Sequence, residues 1–267
     1  MRRSPFLPWL SLLICLYGTT AAAQGRPVVS LIIDDMGNDR ALGEAAVSLG
    51  RDVTYAFLPH TPHARRLAER AYAAGSEVLL HLPMEPLAGG GAGPGSLSRW
   101  MSRERFLRTL EADLAAVPHA IGLNNHMGSL LTRDRLAMEW LMARVRERQL
   151  LFVDSRTTSE TVAEATAQEY GIPHTRRNLF LDNDRDPRAI ERQFASLLQL
   201  AAARGSAVAI GHPYPETIAV LRRLLPGLAA RGVELVPVSR LVELQGRNAP
   251  WHAPSYPSLR VAKNSKR

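Results

Sequence analysis

The sequence predicts an α/β fold, a parallel sheet with helices packed outside it. Three observations predict it. From Pro27 to Leu244, short β-branched or aliphatic runs that end in polar residues alternate with amphipathic helical stretches, the signature of repeated strand–helix units. Seven or eight such units fit into about 220 residues, a length at which closure into a barrel is expected and an open doubly wound sheet is the competitor. No GxGxxG opens the first helix, so a dinucleotide-binding sheet is unsupported. The 267 residues suit one such barrel, and 46% hydrophobic with 22% charged residues excludes a disordered chain.

In chain order, strands are expected at Val28–Asp34, Val53–Leu58, Glu77–Leu82, Ala120–Asn124, Leu151–Asp154, Asn178–Leu181, Ala207–Gly211 and Glu234–Val236. Helices are expected between them, at Asp39–Leu49 and Pro62–Ala74, then Ser102–Ala115 with Ser102 as N-cap. Thr132–Arg148 carries Leu136, Trp140, Leu141 and Val145 at helical spacing. Ser159–Tyr170 stops at Gly171. Pro187–Arg204 has proline in its first turn and Gly205 after its end, and Pro215–Arg231 stops at Gly232. Pro86–Leu97 (PLAGGGAGPGSL) breaks the rhythm. It lacks the Lys-Ser/Thr ending of a phosphate loop and reads as a flexible rim loop, with Trp100 beside it read as helix-edge packing.

The ends of the chain differ from its body. Residues 1–23 have the three parts of a secretory signal peptide: Arg2 and Arg3, the apolar Leu10–Tyr17, and Ala21-Ala22-Ala23 for cleavage. The apolar run is short for a membrane span, so a retained anchor is the weaker reading and no stable membrane insertion is expected after cleavage. The mature protein is then exported, periplasmic or extracellular. Cys15, the only cysteine, leaves with the leader, and with it any disulfide or thiolate chemistry. Residues 24–246 form the domain, and residues 247–267 a basic, proline-containing tail expected to be disordered. Arg2, Arg3, Arg247, Arg260, Lys263, Lys266 and Arg267 account for all but one of the eight net positive charges. A basic face on the folded part is therefore missing, and nucleic acid is excluded as a partner.

The informative polar residues fall at strand ends: Asp34 and Asp35 after strand one, His81 in strand three, Asn124, Asn125 and His126 after strand four, Asp154 after strand five, His212 after strand seven. In a parallel barrel these ends converge on one rim. Burying several ionisable groups side by side is costly unless they pair or bind an ion. Two imidazoles and a carboxylate suit a divalent cation with a position left open for water. A second aspartate beside them suits a proton acceptor, and a further histidine a proton donor to a leaving group. That set describes metal-assisted hydrolysis.

The series IIDDMG, LLHLPMEP, GLNNHMGS, FVDSRT and AIGHPYPET resembles the divergent polysaccharide deacetylase family, and Asp34-Asp35-Met36-Gly37 resembles the Asp-Asp-x-Gly of NodB-type polysaccharide deacetylases. The resemblance covers about residues 27–245. It implies a distorted (β/α)7-type barrel, the NodB-like deacetylase fold, and a hydrolase that removes acetyl groups from N-acetylated sugars with a divalent metal, Zn²⁺ foremost. By that resemblance Asp34 is the general base, Asp35 and His81 are metal ligands, and His212 assists the leaving amine. Two departures stand out. Glu85 occupies the position of the second metal-binding histidine, and Asn124-Asn125-His126 replaces an arginine-proline motif. His126 is expected to supply the missing imidazole from the neighbouring strand; Glu85 is the alternative ligand, or binds sugar hydroxyls. Asn125 and Asp154 are supporting residues, and Arg156 is expected to replace the missing arginine by orienting Asp34 or Asp154. Three functional readings follow: an exported deacetylase of an N-acetylhexosamine polysaccharide or peptidoglycan, a catalytically weak descendant that binds glycan or a cell-envelope protein, or glycosidic-bond hydrolysis on a similar barrel, which predicts new reducing ends instead of acetate.

Overall fold

A computed structural model describes residues 26–246. The inferred leader at 1–23 and basic tail at 247–267 lie outside the described residues. Strands β1 (Val28–Met36), β2 (Thr54–Phe57), β3 (Val78–Met84), β4 (Ala120–Met127), β5 (Leu151–Asp154), β6 (His174–Arg176), β7 (Leu179–Phe180), β8 (Ser206–Gly211) and β9 (Glu234–Leu235) alternate with helices. Those helices are α1 (Arg40–Val47), α2 (Ala64–Ala73), α3 (Arg103–Ala116), α4 (Arg135–Glu147), α5 (Ala163–Glu169), α6 (Pro187–Arg204), α7 (Pro215–Leu224) and α8 (Val238–Leu244). The strands run parallel in the order β6-β5-β4-β3-β2-β1-β8-β7, with β9 paired to the first two residues of β1.

The sheet curls into a distorted barrel, and its seam has an unusual construction. β6 pairs with β5 and β7 pairs with β8. Only Arg177 and Asn178 separate β6 from β7. The Arg177 N–H donates to the Asp154 carbonyl at the end of β5, and the next N–H, that of Asn178, donates to the Val208 carbonyl of β8. Successive residues of an extended chain point their amides to opposite edges. One extended segment therefore serves both walls in turn; the strand expected at 178–181 is β7, shortened to Leu179–Phe180, and β6 before it was not expected.

Alternation sorts the side chains into two cores. Residues of odd number on β1 (Val29, Leu31, Ile33) pack outward among the helices with Phe106, Leu141 and Phe194. Val28, Ile32, Leu79, Leu151, Val153, Val208 and Ile210 fill the barrel, joined by Val238 and Leu241 of α8. Helix α8 was not expected from the sequence. It plugs the barrel's amino end, anchored where Thr54 Oγ1 and Glu77 Oε2 accept the Val238 and Ser239 N–H groups at 3.1 Å each. Each such fully buried aliphatic side chain contributes about 1.5–3 kcal/mol.

Three helix expectations are corrected. α4 starts later than Thr132, because Asp134 is the cap, accepting from the Ala137 N–H at 3.0 Å, while Thr132 Oγ1 donates back to the Gly128 carbonyl. Leu136, expected on its buried face, is 55% exposed. α7 stops at Leu224, where Pro226 follows, and the remainder is two 3-10 turns.

Candidate metal and catalytic site

The same alternation places the site. Asp34 shares the inward face of β1 with Ser30 and Ile32. His81 follows Leu79 on β3, and Asn124 and His126 lie on one face of β4. His81 pairs in register with Asn124, and Pro83 with His126. The two histidines therefore stand on adjacent strands, one step apart along the barrel. By alternation Asp35 would point outward. Its φ of 55° and the break in β1–β2 register between Ile33 and Met36 prevent that. A left-handed residue in a bulge re-aims its side chain, and both carboxylates face the barrel mouth.

Asp35 Oδ1, His81 Nε2 and His126 Nδ1 form a nearly equilateral triangle, with sides of 3.2, 3.0 and 3.1 Å. Oδ1 of Asp35 is buried and accepts no well-directed hydrogen bond, although both imidazoles are beside it. Burial opposes its charge, but His126 and His81 hold the carboxyl well below the usual range. Ligands about 2.0–2.1 Å from a tetrahedral Zn²⁺ stand about 3.3 Å from one another. The donor set and its spacing thus fit a divalent cation held by two imidazoles and one carboxylate, which makes Asp35, His81 and His126 the residues able to hold it.

The neighbouring groups fix protons and orientations. Asn124 Oδ1 lies 2.9 Å from His81 Nδ1, so that nitrogen carries a hydrogen and Nε2 is the atom turned to the triangle. The Asn124 amide donates to Asp34 Oδ1 at 2.8 Å and to Ser155 Oγ at 3.3 Å. Asp34 Oδ2 is left facing His81 Nε2 at 3.6 Å. Burial raises the Asp34 pKa, against the pull of His81, His212 and Asn124.

Across the mouth, His212 Nε2 lies 3.9 Å from Asp35 Oδ2. Its Nδ1 is 2.8 Å from Asp182 Oδ1, and its backbone N–H donates to Asp182 Oδ2 at 2.6 Å. Thr217 Oγ1 donates to the same Oδ2 at 2.7 Å. Burial opposes charge on the imidazole, but Asp182 outweighs it and lifts the pKa to about 9. With Nδ1 committed to Asp182, His212 turns its Nε2 toward the mouth and Asp35.

The other expected residues lie elsewhere. Glu85 does not join the triangle: its Oε2 accepts from Ser98 Oγ and the Arg99 N–H at 2.9 and 3.0 Å and pins the glycine-rich loop to the end of β3. Asp154 has outward parity on β5 and accepts from the Arg156 N–H, Thr161 Oγ1 and the Glu164 N–H. The Arg156 guanidinium lies toward Glu164, at 3.9 Å, rather than toward Asp34. Asn125 Oδ1 accepts the Ser155 N–H at 2.8 Å and ties β4 to the turn after β5. Trp100, expected at a helix edge, is 78% exposed with the Arg99 guanidinium 4.5 Å from its ring centre.

Sequence reasoning missed Asn124 as a positioning residue and Asp182 altogether. Both were findable by parity, since Asn124 shares a face with His126 and Asp182 with Phe180. A cavity of about 710 Å³ at the amino ends of the strands, lined by Arg26, Arg176 and Arg204, contains none of these groups.

The chain matches the divergent polysaccharide deacetylase family over residues 31–242. It is 35% identical to an uncharacterized protein of Haemophilus influenzae over 226 residues, which is 85% of this chain and 80% of that protein. Among solved structures, an uncharacterized protein from Agrobacterium tumefaciens superposes with a TM-score of 0.78 at 24% identity, covering 81% of this chain and 89% of that one. The Bc1960 peptidoglycan N-acetylglucosamine deacetylase superposes with a TM-score of 0.51 at 13% identity, covering 80% and 87%. The first of these solved structures and the second share the fold with this chain. By its sequence, this chain belongs to the divergent polysaccharide deacetylase family.

Proposed function

We propose that the protein is an exported, metal-dependent hydrolase that removes acetyl groups from an N-acetylhexosamine polymer such as peptidoglycan, with Zn²⁺ as the first candidate metal. One observation carries the reading: the Asp35–His81–His126 triangle lies between the buried Asp34 carboxylate and the His212 imidazole. Family membership supports the substrate class, and the leader read in residues 1–23 supports export.

When bound, the cation supplies Lewis acidity for hydrolysis of the acetamide. Asp34 takes a proton from the attacking water at Oδ2, because Oδ1 is committed to Asn124. Its raised pKa makes it a stronger base than an exposed aspartate. His212 gives the Nε2 proton to the departing nitrogen, because Nδ1 is committed to Asp182. Water's hydroxyl ends on the acetyl carbon, the carbon–nitrogen bond breaks, and the products are acetate and a free amine.

The test is acetate release from chitin oligomers and from peptidoglycan fragments by protein of measured metal content. Acetate without new reducing ends is expected. Metal-loaded protein that releases no acetate from either substrate would overturn the reading.

A further inference from the structure

Arg177 lies at the seam, where the barrel's backbone ladder changes partner. Its Nε and Nη2 donate to the carbonyls of Ser155 and Arg156, both at 2.6 Å. Those carbonyls belong to the turn after β5, in which Arg156 has a φ of 47°. The turn reaches the site in two ways: the Ser155 N–H donates to Asn125 Oδ1, and Ser155 Oγ accepts from the Asn124 amide. Asn124 in turn holds Asp34 Oδ1 and His81 Nδ1. The other face of the guanidinium lies 3.8 Å from the centre of the Phe180 ring. Phe180 stacks on His212, with centroids 5.9 Å apart and an interplanar angle of 26°.

We propose that Arg177 is a positioning residue that couples the two sides of the site across the seam. It holds Asp34 and His81 through the 155–156 turn and Asn124, and it holds the His212 ring through Phe180. The chemistry explains the residue type. A guanidinium donates to two carbonyls in its plane while its face stacks on a ring; a lysine ammonium is a point donor that cannot do both. The position explains the need, since β6 and β7 do not pair with each other and a side-chain brace adds to the single backbone crossing at 177–178.

The inference rests on the proposed deacetylase reading for its kinetic effect but not for its structural one. Arg177→Ala and Arg177→Lys are compared with the natural protein, each at saturating Zn²⁺. In both variants kcat should fall about 10- to 100-fold, since a small misplacement of reacting groups by a remote change costs up to about 100-fold, while KM changes less than about threefold. Methylguanidinium should restore part of kcat to Arg177→Ala and none to Arg177→Lys. Independently of activity, the His212 ring resonances of metal-free protein should shift in both variants as Phe180 loses its support. A kcat within twofold of the natural protein in Arg177→Ala, or unchanged His212 resonances, would overturn the proposal. Should the natural protein release no acetate, the deacetylase reading fails and the resonances alone decide. Should Arg177→Ala not fold, Arg177→Lys carries both readouts.

Discussion

His81 and His126 are carried by a continuous parallel ladder, β3 against β4, paired from Leu79–Gly122 to Met84–Met127. His212 stands just past the end of β8, on a wall whose outer neighbour is the two-residue β7. On the first wall, backbone register fixes the spacing of the two imidazoles, and Asn124 only sets a proton and a rotation. On the second, side chains do most of the holding: Asp182 grips both the ring and the backbone N–H of His212, with Thr217 behind it. A site can thus fix metal ligands through the sheet and fix its proton donor through hydrogen bonds, and the two sides should fail differently.

Substitutions can break that contrast. His81→Ala removes a corner of the triangle and should abolish stoichiometric metal binding, read by elemental analysis after dialysis. Asp34→Asn, adjacent in sequence to a ligand but not itself one, should keep metal and lose about 10²- to 10⁴-fold in turnover. Asp182→Asn should leave metal affinity unchanged and lower turnover about 10- to 100-fold, whereas Asn124→Ala should weaken metal affinity by about 10- to 100-fold. Equal losses of metal affinity in the last two would erase the distinction between the walls.

The glycine-rich loop sharpens the comparison, because it lies on the β3 side and is tied there by hydrogen bonds from Glu85 and Leu97. A Cβ at Gly95 would meet Asp113 Oδ1 at 2.1 Å, and the residue has a φ of 78°. Gly95→Ala should therefore cost about 1–3 kcal/mol in urea unfolding without loss of bound metal.

A further effect concerns Asp113 itself, which is fully buried with His60 Nε2 at 2.9 Å from its Oδ1. Burial pushes its carboxyl up to about 8. A raised carboxyl pKa means that the folded state holds a proton the unfolded chain releases. Stability from this group is complete below about pH 4 and declines as pH rises toward 8. Asp113→Asn cannot lose that proton. Its melting temperature relative to the natural protein should rise between pH 4 and 8 and level off above, and a pH-independent difference would contradict the sign.

What the sequence revealed follows from which signals are local. Leu151–Asp154 and Pro187–Arg204 have the predicted bounds because an apolar run, or a proline start with a glycine stop, marks both ends. β6 was invisible, since His174-Thr175-Arg176 has no apolar run and exists only because β5 offers an edge. The strand ends carrying Asp34, His81, His126 and His212 were readable as one rim. The inward turn of Asp35 was not, because it depends on a left-handed φ that no aspartate announces. Arg156 looked well placed by sequence, yet Arg177, 21 residues later, donates to the Arg156 carbonyl. Such a contact depends on the seam's three-dimensional course.

The central claim is that His126, from β4, completes the metal triangle while Glu85 holds a loop. Metal stoichiometry of His126→Ala and Glu85→Ala, purified side by side with the natural protein, tests it most directly. One equivalent in the natural protein and in Glu85→Ala, with none retained by His126→Ala, is the predicted result. Full occupancy in His126→Ala, or loss of metal confined to Glu85→Ala, would contradict it.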